Sequence, residues 1–290
     1  MRFSIHYAAD YSYEGTAHEQ HNALRLKPVE LTTQHVESFE LRTEPGGRRH
    51  RYRDYFGTEV IQFTIPARHE QMRIRAEIRV ETKPPPEPGL DPDWEEYRKP
   101  AAQTAAEYLG LLEPAADPLA IAGLIAETRR ATPRQTINAV CEMIPSRFTY
   151  CQGVTYVGST VDDLLHGGAG VCQDFVHLGL TVLRGHGIPA RYVSGYLWAV
   201  SEGSDERSAE VNTHAWLEAM LPGHDGTLAW IGLDPTNRKP AGAEHVKIGH
   251  GRAYSDVPPI RGVYRGPGQA AHEVKVTMNL LDDAADHGGG

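Results

Sequence analysis

Cys141, Cys151 and Cys172 are the strongest potential nucleophiles of the chain, and their surroundings differ. In GGAGVCQDFVHLGLTVLRGHG, Gly167, Gly168 and Gly170 lead up to Cys172. Phe175, Leu178, Leu180, Val182 and Leu183 then supply the apolar residues of a buried helix that stops before Gly185 and Gly187. Cys172 thus falls at a helix N-terminus, where unpaired backbone N–H groups and the positive end of the helix dipole stabilise a thiolate. The same donors suit the oxyanion of a tetrahedral intermediate. Such a nucleophile needs a base held in one orientation. In NTHAWLEAMLPGHDGTLAWIGLDPTN two apolar runs flank PGHDGT, whose Asp225-Gly226 pair signals a hairpin. A turn centred on His224 places His214 directly opposite Asp234. Facing Cβ atoms lie about 5 Å apart, close enough for Asp234 to accept the imidazole N–H and fix its tautomer. A slip of one residue would turn Asp234 to the other face, so the inference depends on register.

The remaining candidates are weaker. Cys141 shares a helical stripe with Ile137, Val140 and Ile144, which makes it a core cysteine. Asp174, in the first turn after Cys172, suits the helix dipole, but its charge opposes a nearby thiolate unless it is buried or paired. His177 falls on a different side of the helix from Cys172 and reads as a packing or hydrogen-bonding residue. A zinc site from Cys172, His177 and His214 has neither CxxC nor HExxH to support it. Side-chain oxyanion donors would come from just upstream, where Tyr150, Gln152 and Tyr156 are the candidates. The glycines form no phosphate-binding loop, so no nucleotide, cofactor or metal enters the reading.

The elements that must carry these residues fall into two kinds. Residues 1–82 alternate short β-rich runs with turns, and in QMRIRAEIRVET the residues Met72, Ile74, Ala76, Ile78 and Val80 fall on one face against Arg73, Arg75, Glu77, Arg79 and Glu81. This predicts an N-terminal β-domain of sandwich type. Residues 83–100 contain six prolines and read as a stiff linker. Residues 101–281 then begin with helical periods, two of them opened by Asp117-Pro118 and Thr132-Pro133 as N-cap and first helical residue. Strands follow in RYVSGYLWAV, THAWLEAML and LAWIGLD, so the fold class is α+β. Residues 282–290, with no apolar content, read as a disordered tail.

Composition narrows the partners. The chain has 290 residues, enough for a core that needs no staple, and 40% are hydrophobic against 23% charged. The net charge of −9 argues against nucleic acid as a partner, since that affinity comes from Lys and Arg on phosphates. The cluster Arg48, Arg49, Arg51 and Arg53 is broken by Tyr52 and Asp54 and reads as an exposed strand or loop. Three cysteines make no disulfide framework, MRFSIHYAADYSYEG lacks the apolar stretch of a signal peptide, and no run is long enough to span a membrane. A soluble, cytoplasmic protein with no membrane partner is the expectation; the oligomeric state is not legible.

The segments GVCQDFVHL, GIPARYVSGYL, HAWLEA and WIGLDPTN, in this order, resemble the core of the transglutaminase-like superfamily. HNALRLKP and DYFGTEVIQFTI are similar to the β-domain that precedes that core in bacterial members, and GRAYSDVPPIRGVYRG to their C-terminal segment. The resemblance implies a papain-like arrangement with Cys172 as nucleophile, His214 as general base and acid, and Asp234 as its orienter. It also implies cysteine-dependent acyl transfer on peptide or protein amides through a thioester. Hydrolysis is preferred, and amine transfer to protein glutamines is the alternative, sharing every step before deacylation. A vestigial binding scaffold and a zinc-binding protein are the readings from other classes.

Overall fold

The computed structural model describes residues 1–86, 89, 91–110, 117–156, 158–200, 207–223 and 225–282. Its first five strands are β1 (Arg2–Leu24), β2 (Gln34–Glu44), β3 (Arg48–Arg53), β4 (Glu59–Ile65) and β5 (His69–Thr82). The alternation in β5 is realised: Met72, Ile74, Ala76, Ile78 and Val80 are all buried, while Arg73, Glu77 and Arg79 are exposed. β1 serves two parts of one curled sheet. Its first half pairs with β5, and a register shift between Ser12 and Ala17 turns its second half, from Gln20 to Leu24, against β4. Phe3, Ile5 and Ile74 from one part and Ile61 and Phe63 from the other enclose a common core. β3, with the four arginines, lies exposed at the edge beside β4.

The helical part comprises α1 (Trp94–Ala105), α2 (Pro118–Thr128), α3 (Pro133–Arg147), α4 (Val161–Gly167) and α5 (Cys172–Gly185), with short strands β6 (Thr149–Tyr150) and β7 (Ala169–Gly170) beside α4. Asp117 and Thr132 cap α2 and α3, accepting from the N–H groups of Ala120 and Gln135, with proline at the first turn of each. A second sheet follows from β8 (Ala190–Leu197), β10 (Thr213–Pro222), β11 (Leu228–Asp234), β12 (Lys239–Pro240) and β13 (His245–Gly251). Between β8 and β10 lies β9 (Ser208–Val211), and β14 (Ile260–Arg265) and β15 (Ala270–Leu281) end the chain. The second sheet runs in the order β12-β11-β10-β8-β13, antiparallel throughout. Leu217, Ala219 and Leu221 of β10 join Phe175, Leu178 and Val182 of α5 and Val140 and Ile144 of α3 in a second core.

Two boundaries differ from the sequence reading. α1 starts at Trp94, inside the stretch read as linker. Asp93 accepts the N–H groups of Glu95 and Glu96, and Tyr97 and Ala101, one turn apart, are buried; together they outweigh the break expected at Pro100. The C-terminal strands, read as part of the core segment, pair instead with the first sheet. β15 runs along β1 from Arg2↔Leu281 to Tyr13↔Ala270, and β9 adds beyond it. Val276 and Met278 are wholly buried there, and this apolar face decides the docking. Of the tail 282–290, residues 283–290 lie outside the described residues. No helix among those described is long and apolar enough to cross a membrane.

Candidate active site

The position of Cys172 follows from how α5 begins. Val171 is the N-cap, and the Asp174 carboxylate reaches back to the Val171 N–H at 2.8 Å. The N–H groups of Asp174 and Phe175 both bond the Val171 carbonyl, so Cys172 and Gln173 are the helix residues whose N–H groups the helix cannot satisfy. Asp174 also accepts the Thr155 hydroxyl at 2.7 Å and is buried, which supplies the pairing that an active Cys172 requires of it. The approach is tight: a Cβ on Gly170 would lie 2.8 Å from the Asp174 Oδ2, so only glycine fits. Cys172 itself is partly exposed.

His214 and Asp234 come from adjacent strands, β10 and β11. Their register differs from the one read off the sequence: Leu217 pairs with Leu233 and Pro222 with Leu228, so the loop is centred on Asp225 and continuing the ladder sets Trp216, not His214, opposite Asp234. His224, the centre assumed from sequence, lies outside the described residues. The physical reason is the loop's own bonding. Gly223 N–H bonds the Thr227 carbonyl, and the Asp225 carboxylate accepts the Thr227 N–H, closing a longer loop than the Asp-Gly signal implies. The displacement is by two residues, so both side chains stay on one face. His214 Nε2 donates to Asp234 Oδ2 at 2.8 Å, a diagonal contact within reach of an imidazole.

The electrostatics follow from the same geometry. Burial disfavours the His214 cation, but the hydrogen bond to Asp234 and the interaction with the nearby Cys172 sulfur, with the charges of both, outweigh it and push the imidazole pKa up to about 9. With Nε2 committed to Asp234, Nδ1 is the nitrogen left for the sulfur. Burial alone would raise the Asp234 carboxyl, yet the bonds from His214 and His245 and the bond from Asn237 hold it far below the usual carboxylate range. Asp234 accepts five hydrogen bonds: Thr236 and Asn237 N–H on Oδ1, and His214, His245 and the Asn237 amide on Oδ2. Asn237 and His245 were missed in the sequence. The Asp-Pro-Thr-Asn turn was the available sign of the first, since an Asp commonly accepts from N–H groups two and three residues on; nothing local announces the second. The indole of Trp216 stacks beside His214 and meets His245 edge-on, and it fills the space over Gly195, where a Cβ would lie 2.5 Å from the ring.

The other candidates are placed as follows. β6 runs parallel to β7, so Tyr150 lies alongside Gly170, and its hydroxyl senses the charges of Cys172 and Asp234 and the Gln152 side chain. Tyr150 is thereby brought near Cys172, with Gln152 beside Tyr150. Tyr156 is 74% exposed, with its ring turned over Gly158. Cys141 is in the second core, where burial first, then the charges of Asp234 and Glu142, push its thiol up to about 12. Cys151 is exposed. His177 accepts the Tyr254 N–H and packs on Tyr192, and burial holds its pKa down at about 4. It lines a cavity of about 760 Å³ that follows one stripe of α5 through Gln173, His177 and Thr181. Among the described residues the donors Cys172, His177 and His214 do not form a cluster. His214, Asp234 and His245 bring their donor atoms within 4.8 Å of one another, and here both rings bond the same carboxylate oxygen.

Residues 123–235 match the transglutaminase-like superfamily, and residues 3–81 match the bacterial transglutaminase-like N-terminal region. An uncharacterized protein of Mycobacterium leprae is 34% identical over 289 residues, covering 97% of this chain and 99% of that protein. An uncharacterized protein of Mycobacterium tuberculosis is 31% identical over 302 residues, covering 99% of this chain and 95% of its own. Among solved structures, one described as a "Putative Cysteine Protease" from Cytophaga hutchinsonii superposes with a TM-score of 0.75 at 21% identity, over 98% of this chain and 92% of that one. Family matches over the N-terminal sheet and the helical core, and full-length relatives, agree with the architecture just described: the chain belongs to the transglutaminase-like superfamily.

Proposed function

We propose that the protein is a cysteine-dependent amide hydrolase that acts on peptide or protein substrates through a thioester. The observation that carries this reading is His214 hydrogen-bonded to Asp234 beside the Cys172 sulfur, which sits at the start of α5 and helps raise the imidazole pKa. The Cys172 sulfur attacks the amide carbonyl carbon, and the negative charge developing on oxygen is met by the helix N–H groups and the Tyr150–Gln152 side chains. His214, as imidazolium, gives its proton to the leaving amine as the C–N bond breaks. His214 then takes a proton from water, the hydroxide displaces the sulfur from the acyl carbon, and the thiolate–imidazolium pair is restored. Water is favoured as the acyl acceptor because the rim is open: Cys172 is partly exposed and Tyr150 is 45% exposed. The cavity beside Gln173 and His177 provides room for the substrate chain along α5.

The test is turnover against peptide, glutaminyl and isopeptide amides, with and without an added primary amine. Cys172→Ala should abolish turnover with an unchanged circular dichroism spectrum, since removing one sulfur opens no large cavity. Retention of most activity by that variant would overturn the assignment, and product appearing only as the amine conjugate would replace hydrolysis by amine transfer.

A further inference from the structure

We propose that His245 is a positioning residue for this chemistry: it shares Asp234 Oδ2 with His214, keeps that carboxylate aligned with the imidazole, and moderates its hold on the imidazolium. The proposal rests on the Cys172–His214 reading above. His245 Nε2 lies 3.1 Å from Oδ2, the oxygen that takes His214 Nε2 at 2.8 Å. The Gly242 N–H points at His245 Nδ1 at 3.1 Å, so Nδ1 is an acceptor and the ring proton sits on Nε2. A backbone group thus delivers His245 to Asp234 as a neutral donor. The ring is held there: its side chain is 2% exposed and packs edge-on against Trp216.

Two consequences follow for His214. The N–H groups of Thr236 and Asn237 fix Oδ1, and His245, from β13, joins the Asn237 amide in fixing Oδ2, so the carboxylate cannot rock away from the imidazole. The His245 N–H also draws on the charge of Oδ2 and turns its positive end toward the same place as the imidazolium. Alignment strengthens the hold on the His214 cation, but the shared N–H and its positive end weaken it by more, and a general acid releases its proton to a leaving amine more readily when that proton is not over-held. The other titratable groups around the cluster are Cys172 from α5, Cys141 from α3 and Tyr150 from β6. Glu244 lies 3.7 Å from His245 Nδ1, and its charge is met by Lys239 at 2.7 Å.

Iodoacetamide tests this without a known substrate. Cys172 alkylation is followed by peptide mass spectrometry from about pH 5 to about pH 10 in the wild type, His245→Phe, His245→Gln and His214→Ala. Thermal unfolding is recorded for each. Phe fills the ring's volume without a donor, so the inflection that belongs to His214 should move up by about half a pH unit or more. Gln carries its amide nitrogen near the Nε2 position and should return the inflection toward the wild-type value. Should the Phe variant fail to fold, His245→Asn, whose amide is too short to reach Oδ2, takes its place. An inflection that is unmoved or moves down in the donor-free variant overturns the proposal, as does a Gln variant that behaves like Phe. A Cys172 profile unaffected by His214→Ala marks instead the failure of the Cys172–His214 reading itself, and His245's role falls with it.

Discussion

Asp234 decides what His214 can be. Its carboxylate has no exposed surface and accepts only from donors, two of them imidazole nitrogens on a single oxygen. An amide in its place could serve the Thr236 and Asn237 N–H groups through its oxygen, but its own N–H groups would then face the donors of His214 and His245. The imidazole would lose both its tautomer and its counter-charge. Asp234→Asn should therefore lower the rate by roughly 10³–10⁴-fold with little change in KM, as seen when an orienting carboxylate is replaced in triad enzymes. Steady-state kinetics on the best amide found for the wild type check this. A near-wild-type rate would mean that the carboxylate does not orient His214. The raised His214 pKa of about 9 also has a direction: the protonated imidazole, and the stability it lends through Asp234, is complete below the ordinary histidine value and is lost as pH rises through about 9.

The element that matters most is the first turn of α5. It lacks a side-chain N-cap because Val171 occupies that position, and the Asp174 carboxylate closes the turn from the third helical residue by taking the Val171 N–H and the Thr155 hydroxyl. Asp174 thus ties Thr155 to the start of the helix. Asp174→Ala should destabilise the protein by about 1–3 kcal/mol, because a partly buried hydroxyl and a partly buried N–H lose their acceptor. It should also loosen Cys172. At about pH 6 the wild type should be alkylated at Cys172 ahead of Cys151 and Cys141, and in the variant this preference should shrink. Peptide mapping after brief labelling reads all three sites, and an unchanged preference would show that the turn does not position the sulfur.

At the scale of the molecule, the first sheet holds the second in place from behind the site. Gln34 bonds the backbone of Lys247 in both directions at 2.8 Å, and Tyr196 OH donates to the Leu26 carbonyl at 3.1 Å. β13, which carries His245, is thereby fixed to the N-terminal part. Beside this joint, Glu218 takes Lys247 at 2.7 Å and Arg191 at 2.6 Å, all three largely buried. Burial works against every charge here, but Glu218 has two cations and Lys247 one anion with Arg191 repelling it. The carboxyl is accordingly held down at about 2, while the ammonium falls to about 8. The stability Glu218 contributes is present above the ordinary carboxylate range and is lost as pH falls toward about 2. Glu218→Gln leaves two buried cations without a counter-charge and should cost about 3–5 kcal/mol at neutral pH. It should also flatten the loss of stability between about pH 5 and pH 2, measured by urea unfolding across that range. An equally steep acid loss in the variant would place the acid-sensitive carboxylates elsewhere.

The sequence by itself determined whatever is written in short-range periodicity and local chemistry. The alternation of β5, the capped starts of α2 and α3, the apolar helix that opens at Cys172, and the pairing of β10 with β11 all depend on residues within one element or one turn. The hairpin register was legible only to its parity, because the side-chain period of two fixes the face while the loop's own hydrogen bonds fix the count. Tertiary structure decided the rest. His245 reaches Asp234 although β13 lies at the far side of β8 from β10, and β15 returns to β1 from the other end of the chain. Such contacts depend on the order of strands in a sheet and on which apolar faces meet, and neither leaves a mark in the spacing of neighbouring residues.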